Sequence, residues 1–175
     1  SKICRCFDCR QVLYEESMFD GQKVSKSRII TSVDYSMVSM EAFEIYAANH
    51  DIHVMDFVLK LDAYSYYMMN LLDYLIGNTD RHWGNWGFLV DNRTNQPVRL
   101  FDLMDLNQTF LAYDTPDGAN CMTTGNRKMS QREAAVEAVK KIGLNQRAEI
   151  KDEWFEGREK EREMFWCRFG ILKEQ

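Results

Sequence analysis

The residues that punctuate a fold are scarce in this chain: of its 175 residues two are proline, Pro97 and Pro116, and nine are glycine. With so few breakers, long helices are permitted nearly everywhere. No apolar run approaches the roughly 20 residues that a membrane-spanning helix needs, and no signal peptide is read at the start, so no membrane partner is expected. Basic residues are also in the minority, 22 Lys and Arg against 27 Asp and Glu, for a net charge of −5. A nucleic-acid binder needs clustered cations to neutralise phosphates, so direct nucleic-acid binding is not expected either. Disorder is excluded by a composition that is 45% hydrophobic and 13% aromatic. The length suits one domain with a core of its own.

Five cysteines is an odd number, and without a secretory segment it predicts reduced thiols and a cytoplasmic setting. Cys4, Cys6 and Cys9 offer three thiolates to zinc, with Cys121, Cys167 or a histidine as the fourth ligand. No second closely spaced pair sits where structural zinc modules keep one. The plainer reading is a strand over 2–7 that buries Ile3 and small thiols.

Residues 1–30 read as that strand and an irregular connection with a turn at Asp20-Gly21; residues 31–175 read as a helical unit. Val38, Met40, Phe43, Tyr46 and Ala47 predict a helix over 31–49. The most apolar stretch, 53–76, carries apolar residues on several faces, Met68 and Met69 among them, and predicts a central buried helix. Gly77-Asn78 stops it. Two short apolar runs, 86–90 and 98–104, predict strands joined by a turn-rich loop. A polar loop over 114–130 precedes helices at 131–142 and about 146–169. The second of these has Trp154, Phe155, Phe165, Trp166 and Phe169 for docking and a solvated charge run at 156–163. The expected class is α+β, mostly helical, with a small central hairpin.

That hairpin is bracketed by residues with chemistry to offer. Gly77-Asn78-Thr79-Asp80-Arg81-His82-Trp83-Gly84-Asn85 leads into it, and Phe101-Asp102-Leu103-Met104-Asp105-Leu106-Asn107 leaves it. A strand pair brings these two turns to one end of a sheet although Asp80 and Asp105 lie 25 positions apart. Phosphoryl transfer needs a carboxylate to accept the proton of an attacking hydroxyl, and hard oxygen ligands to hold Mg²⁺ against the triphosphate. In H-R-D-x-x-x-x-N kinases an Asp and an Asn five positions later share these roles with a following Asp. Asp80 and Asn85 keep that offset, with Arg81-His82 after the Asp instead of His-Arg before it.

The stretch Asn78-x-Asp80-Arg81-His82-x-x-Asn85, with Gly87-Phe88-Leu89 entering a strand, resembles the catalytic loop of the HipA-like and CtkA-like serine/threonine kinases. The likeness has motif quality over about 71–110 and is looser through the flanking helices. It implies a protein-kinase-like carboxy-terminal lobe in which the hairpin carries a catalytic loop (77–87) and a metal loop (101–107). It implies Asp80 as base, Asn78 and His82 as residues that shape the loop, and Asn85 with Asp105 as ligands for Mg²⁺ and ATP, Asp102 being the alternative to Asp105. His82 as a base is the lesser reading, since Asp80 fills that role. The implied acceptor is a Ser or Thr hydroxyl of a protein. The family includes toxins of bacterial toxin–antitoxin pairs, which implies an antitoxin-like partner, and a secreted effector kinase. The 114–130 loop lies where an activation segment would, with Thr115, Thr123, Thr124 and Ser130 as candidate phosphate acceptors and Arg127 and Lys128 as partners for a phosphate.

The chain departs from complete kinases in having no G-x-G-x-x-G and no lysine before residue 30 in a β-branched strand. An amino-terminal lobe outside this sequence is therefore the expected partner, and the missing initiator Met agrees; the lobe alone is expected to be inactive. The Asp80-Arg81-His82-x-x-Asn85 pattern also resembles phosphoinositide kinases, which place a glycine after the metal Asp where this chain has Leu106. A non-catalytic pseudokinase or binding module is the remaining alternative.

Overall fold

The computed structural model describes residues 2–111, 113–125 and 128–175, and shows an α+β fold with four helices and two small antiparallel sheets among them. The helices are α1 (Met40–Ala48), α2 (Val54–Ile76), α3 (Gln131–Ile142) and α4 (Glu159–Lys173). A hairpin of β1 (Tyr14–Phe19) and β2 (Gln22–Ser27) stands apart from a three-stranded sheet of order β3 (Tyr35–Ser39), β4 (Gly87–Asp91), β5 (Gln96–Leu100).

Helix α2 is the axis of the molecule, as its apolar composition predicts. Every residue from Tyr66 to Ile76 is buried, and α3, α4 and β5 pack around it. Its amino-terminal half diverges at Asp62, whose backbone is non-helical (φ −155°, ψ 63°). The Asp62 carboxylate compensates by accepting from Ser65 N at 3.2 Å, from Leu100 N at 3.1 Å and from Arg10 at 2.6 Å. The helix ends at Gly77 in the left-handed region (φ 62°). A Cβ there would also meet the Tyr113 ring at 2.3 Å, so glycine is needed twice over.

Four expectations are corrected. The 31–49 segment is helical only from Met40, where Ser39 caps Ala42 N at 3.2 Å; Tyr35–Ser39 before it is β3, paired with β4. The close approach depends on Gly87, since a Cβ there would lie 2.1 Å from the Val38 carbonyl oxygen. Residues 2–7 hold a 3-10 turn at Cys4–Cys6 instead of a strand, although Ile3, Cys4, Cys6 and Phe7 are buried as expected. The connection after it contains the β1–β2 hairpin, turned by Asp20 (φ 49°) and Gly21 (φ 75°), a pair suited to the tight turns that join twisted strands. The last helical stretch is divided by Gly157 (φ 72°) into a 3-10 turn, Asp152–Phe155, and α4.

Phe155, Phe165 and Phe169 dock the last segments on the core, and Arg168 is buried with them. Its guanidinium lies 4.2 Å from the Tyr113 ring centre and donates to Tyr74 O at 2.7 Å and Thr115 O at 2.8 Å. Burial pushes the Tyr66 and Tyr74 phenols up to about 12. Such groups hold their protons longer when folded, so their stabilising effect is complete below pH 10 and is lost as pH rises towards 12. The urea midpoint is expected to fall across that window, less steeply in a Tyr66→Phe/Tyr74→Phe variant; equal slopes would contradict the assignment. Among the described residues no helix is long and apolar enough to cross a membrane.

Candidate active site

The loop after α2 is assembled on buried polar residues. Asn78 is fully buried; its Nδ2 donates to Asp73 Oδ1 at 2.9 Å, and its carbonyl accepts from Gln131 Nε2 of α3 at 2.6 Å. Arg81 and Asp73, with side chains only 3% and 5% exposed, form a bidentate pair: Nε donates to Oδ2 at 2.8 Å and Nη2 to Oδ1 at 3.0 Å. The remaining guanidinium nitrogen, Nη1, donates to Asn85 O at 3.0 Å and to Met104 O at 2.7 Å. One side chain thus joins α2, the 77–87 loop and the 101–105 segment. Burial works against the Arg81 charge, but Asp73 outweighs it and holds the Arg81 pKa above its ordinary value, with Asp105 adding to the effect.

The five-residue offset between Asp80 and Asn85 has a direct cause: the Asn85 amide folds back and donates to the Asp80 carbonyl. Asp80 is half-buried, and its backbone N–H meets Asn78 Oδ1 at 3.4 Å. His82 is exposed; its Nδ1 accepts from Gly84 N at 3.0 Å. Trp83 Nε1 donates to Met122 O at 2.9 Å and attaches the loop to the 114–130 segment.

A cavity of about 30 Å³ opens beside this loop, with Arg81, Asn85, Trp86, Asp102 and Met104 among its walls. That is space for a water or two and not for a nucleotide. Asn85 is 4% exposed, and its Oδ1 is buried without a hydrogen-bond partner. Asp102 gives one carboxylate oxygen to Arg99 at 2.6 Å. A buried amide oxygen without a partner, in the wall of a cavity that Asp102 also lines, is costly to leave unsatisfied. Asn85 and Asp102 thus offer two oxygen donors of the type Mg²⁺ takes, an amide and a carboxylate that is already paired with Arg99. Asp105, which the resemblance favours as ligand, is half-buried with a positive φ of 54°; it lies close enough to Arg81 to act on its charge but is not on the cavity wall. The fold thus brings Asp80, Asn85, Asp102 and Asp105 to one end of β4 and β5, and Asp102 shares the cavity with Asn85.

Among the described residues no group of three or more His, Cys, Asp or Glu side chains is arranged to hold a metal, so the zinc reading of Cys4, Cys6 and Cys9 finds no support. All five thiols are unbridged, and burial pushes Cys9 up to about 12. Within 114–130, Thr123 is buried and donates to Asn70 Oδ1, and the Ser130 hydroxyl caps α3 by accepting from Glu133 N at 3.2 Å. Neither is free to accept phosphate; Thr115 is exposed and Thr124 half-buried. Arg127 lies outside the described residues.

Sequence reasoning missed Asp73, Arg81 as a clamp, and Gln131. A signal for the first was present: Asp73 is the one charge in the apolar run 71–76, and a buried charge demands a partner. No family model, no curated protein and no solved structure matches this chain.

Proposed function

We propose that this chain is the helical lobe of a HipA-like protein serine/threonine kinase that transfers the γ-phosphate of ATP to a protein hydroxyl. The observation that carries the reading is the buried Asn85 oxygen, left without a hydrogen-bond partner in the wall of a cavity that Asp102 also lines, and within one loop of Asp80. Asp80 orients the acceptor hydroxyl and takes its proton. Asn85 and Asp102 would hold Mg²⁺, which when bound neutralises charge on the phosphates. Asn78 and His82 keep the loop in shape. The cavity is too small to admit a nucleotide, so most of the ATP site would have to be supplied by an amino-terminal lobe.

Two measurements on the native full-length protein test this. Radiolabel from γ-labelled ATP is expected on a protein Ser or Thr and not on phosphoinositides; label on the lipid would replace this reading with the lipid-kinase one. The Mg²⁺ concentration that half-saturates the ADP-dependent rise in Tm should increase at least about tenfold in Asp102→Ala. In Asp105→Ala it should change little, and the reverse ranking would return the ligand role to Asp105.

A further inference from the structure

We infer that the β1–β2 hairpin is a docking edge for an acidic, extended segment of another protein, which adds to β2 as a third strand. The inference is independent of the catalytic reading. A two-stranded hairpin alone is only marginally stable in water and gains from a third strand or from packing on a helix. This one has no substantial packing against any other helix or strand of the described residues. The exposed apolar surface of the protein is also concentrated around it. Seven of the twelve exposed large hydrophobics among the described residues lie within 13–35, with Met18 61% and Phe19 69% exposed on the hairpin itself. Scattered exposed apolar residues are ordinary, but so many on one projecting segment mark a surface that meets another chain.

The register of the hairpin leaves one edge open. A two-residue turn makes Phe19 and Gln22 a hydrogen-bonded pair, and bonding then alternates, so Ser17 with Val24 and Glu15 with Lys26 also bond inward. The N–H and C=O groups of Lys23, Ser25 and Ser27 therefore point outward from β2, and none of them bonds to another described residue. On the opposite edge Arg5 Nη2 already donates to Tyr14 O at 3.3 Å. Charge selects the occupant of the open edge. Lys23, Lys26 and the following Arg28 are exposed, and none joins an ion pair among the described residues. Lysines on an edge strand discourage pairing with neutral or basic strands, and the same charges attract an acidic one. A second copy of this chain fits less well. Set β2 against β2, it places two basic edges side by side; set β2 against β1, it meets the edge that Arg5 holds and builds an open head-to-tail assembly. Strand addition supplies affinity through the main chain and specificity through alternate side chains. Valines on one face of the added strand would cover Val24, and glutamates on the other would meet Lys23.

The test is fluorescence anisotropy on the full chain with a labelled peptide of alternating glutamate and valine, as long as β2. The wild-type chain should bind it, and binding should weaken as salt is raised. The matching lysine–valine peptide should bind at least about tenfold more weakly. Ser25→Pro removes one outward N–H and keeps the bonds between β1 and β2, a place where an edge strand tolerates proline. It should weaken binding at least about tenfold with little change in Tm. Lys23→Glu/Lys26→Glu should reverse the preference between the two peptides. If Ser25→Pro does not fold, this charge-reversed variant, altered only at exposed positions, carries the decision. A wild-type chain that does not bind the acidic peptide overturns the inference, as do equal affinities for the two peptides or binding that both variants retain. Self-association that Ser25→Pro abolishes, seen by sedimentation without affinity for the acidic peptide, overturns it in favour of a second copy.

Discussion

Asp80→Asn should lower γ-phosphate transfer by about 10³-fold while the Tm stays within a degree or so of wild type. General-base assistance by a positioned carboxylate contributes about 10²–10⁴-fold, and a 10³-fold loss corresponds to about 4 kcal/mol of barrier. The substitution keeps the side chain's shape and removes its capacity to accept a proton. The loop should survive it, because the bonds that shape this position come from the backbone of Asp80: its carbonyl accepts from Asn85, and its N–H meets Asn78 Oδ1. Half-burial makes the change mild, as for most substitutions outside the core. ADP with Mg²⁺ should still raise the Tm of the variant, because Asp80 is not a ligand in this scheme. Transfer at the wild-type rate by Asp80→Asn would remove the base from the mechanism, whatever its neighbours do.

The parts of this site that could be read from the sequence are those set by local chemistry. Gly77 ends α2 because a left-handed residue is needed there, and Asn85 lies five residues from Asp80 because a side-chain amide can reach back across one loop. The strands of the hairpin were legible as short apolar runs flanked by turn formers. What stayed hidden depends on contacts remote in the chain. Tyr35–Ser39 carries apolar residues at spacings that continue into α1, and only pairing with β4, allowed by the bare Gly87, makes it a strand. Residues 2–7 bury what a strand would bury, but their pairing is a single antiparallel bridge, Phe7 to Gln146, and the backbone before it closes on itself as a 3-10 turn. The choice between Asp102 and Asp105 could not be made by motif, since the two differ by three positions in one extended segment. The proposal prefers Asp102 because that residue, and not Asp105, lines the cavity.

Asp73→Ala is expected to be the most destabilising single change in the site, by about 3–5 kcal/mol, because it leaves the Arg81 guanidinium buried without its counter-charge. For a domain of this size that corresponds to a fall in Tm of roughly 6–20 °C. It would consume a large share of the 5–15 kcal/mol that typically separates folded from unfolded states. The loss is specific to burial. Removing Asp34 from its exposed pair with Arg93 should cost no more than about 1 kcal/mol, although that pair is the shorter, 2.6 Å against 2.8 Å. It is also specific to the unpaired charge and not to the absence of an ion pair, so Arg81→Met/Asp73→Leu should recover most of the Tm lost in Asp73→Ala, short of the bond that Asn78 Nδ2 gives to Asp73. Thermal melts of the four proteins, wild type, Asp73→Ala, Asp34→Ala and the double variant, decide the matter. A Tm for Asp73→Ala within 2 °C of wild type would mean that the guanidinium finds solvent or another carboxylate, and that neither the loop nor the 101–105 segment depends on the clamp as described.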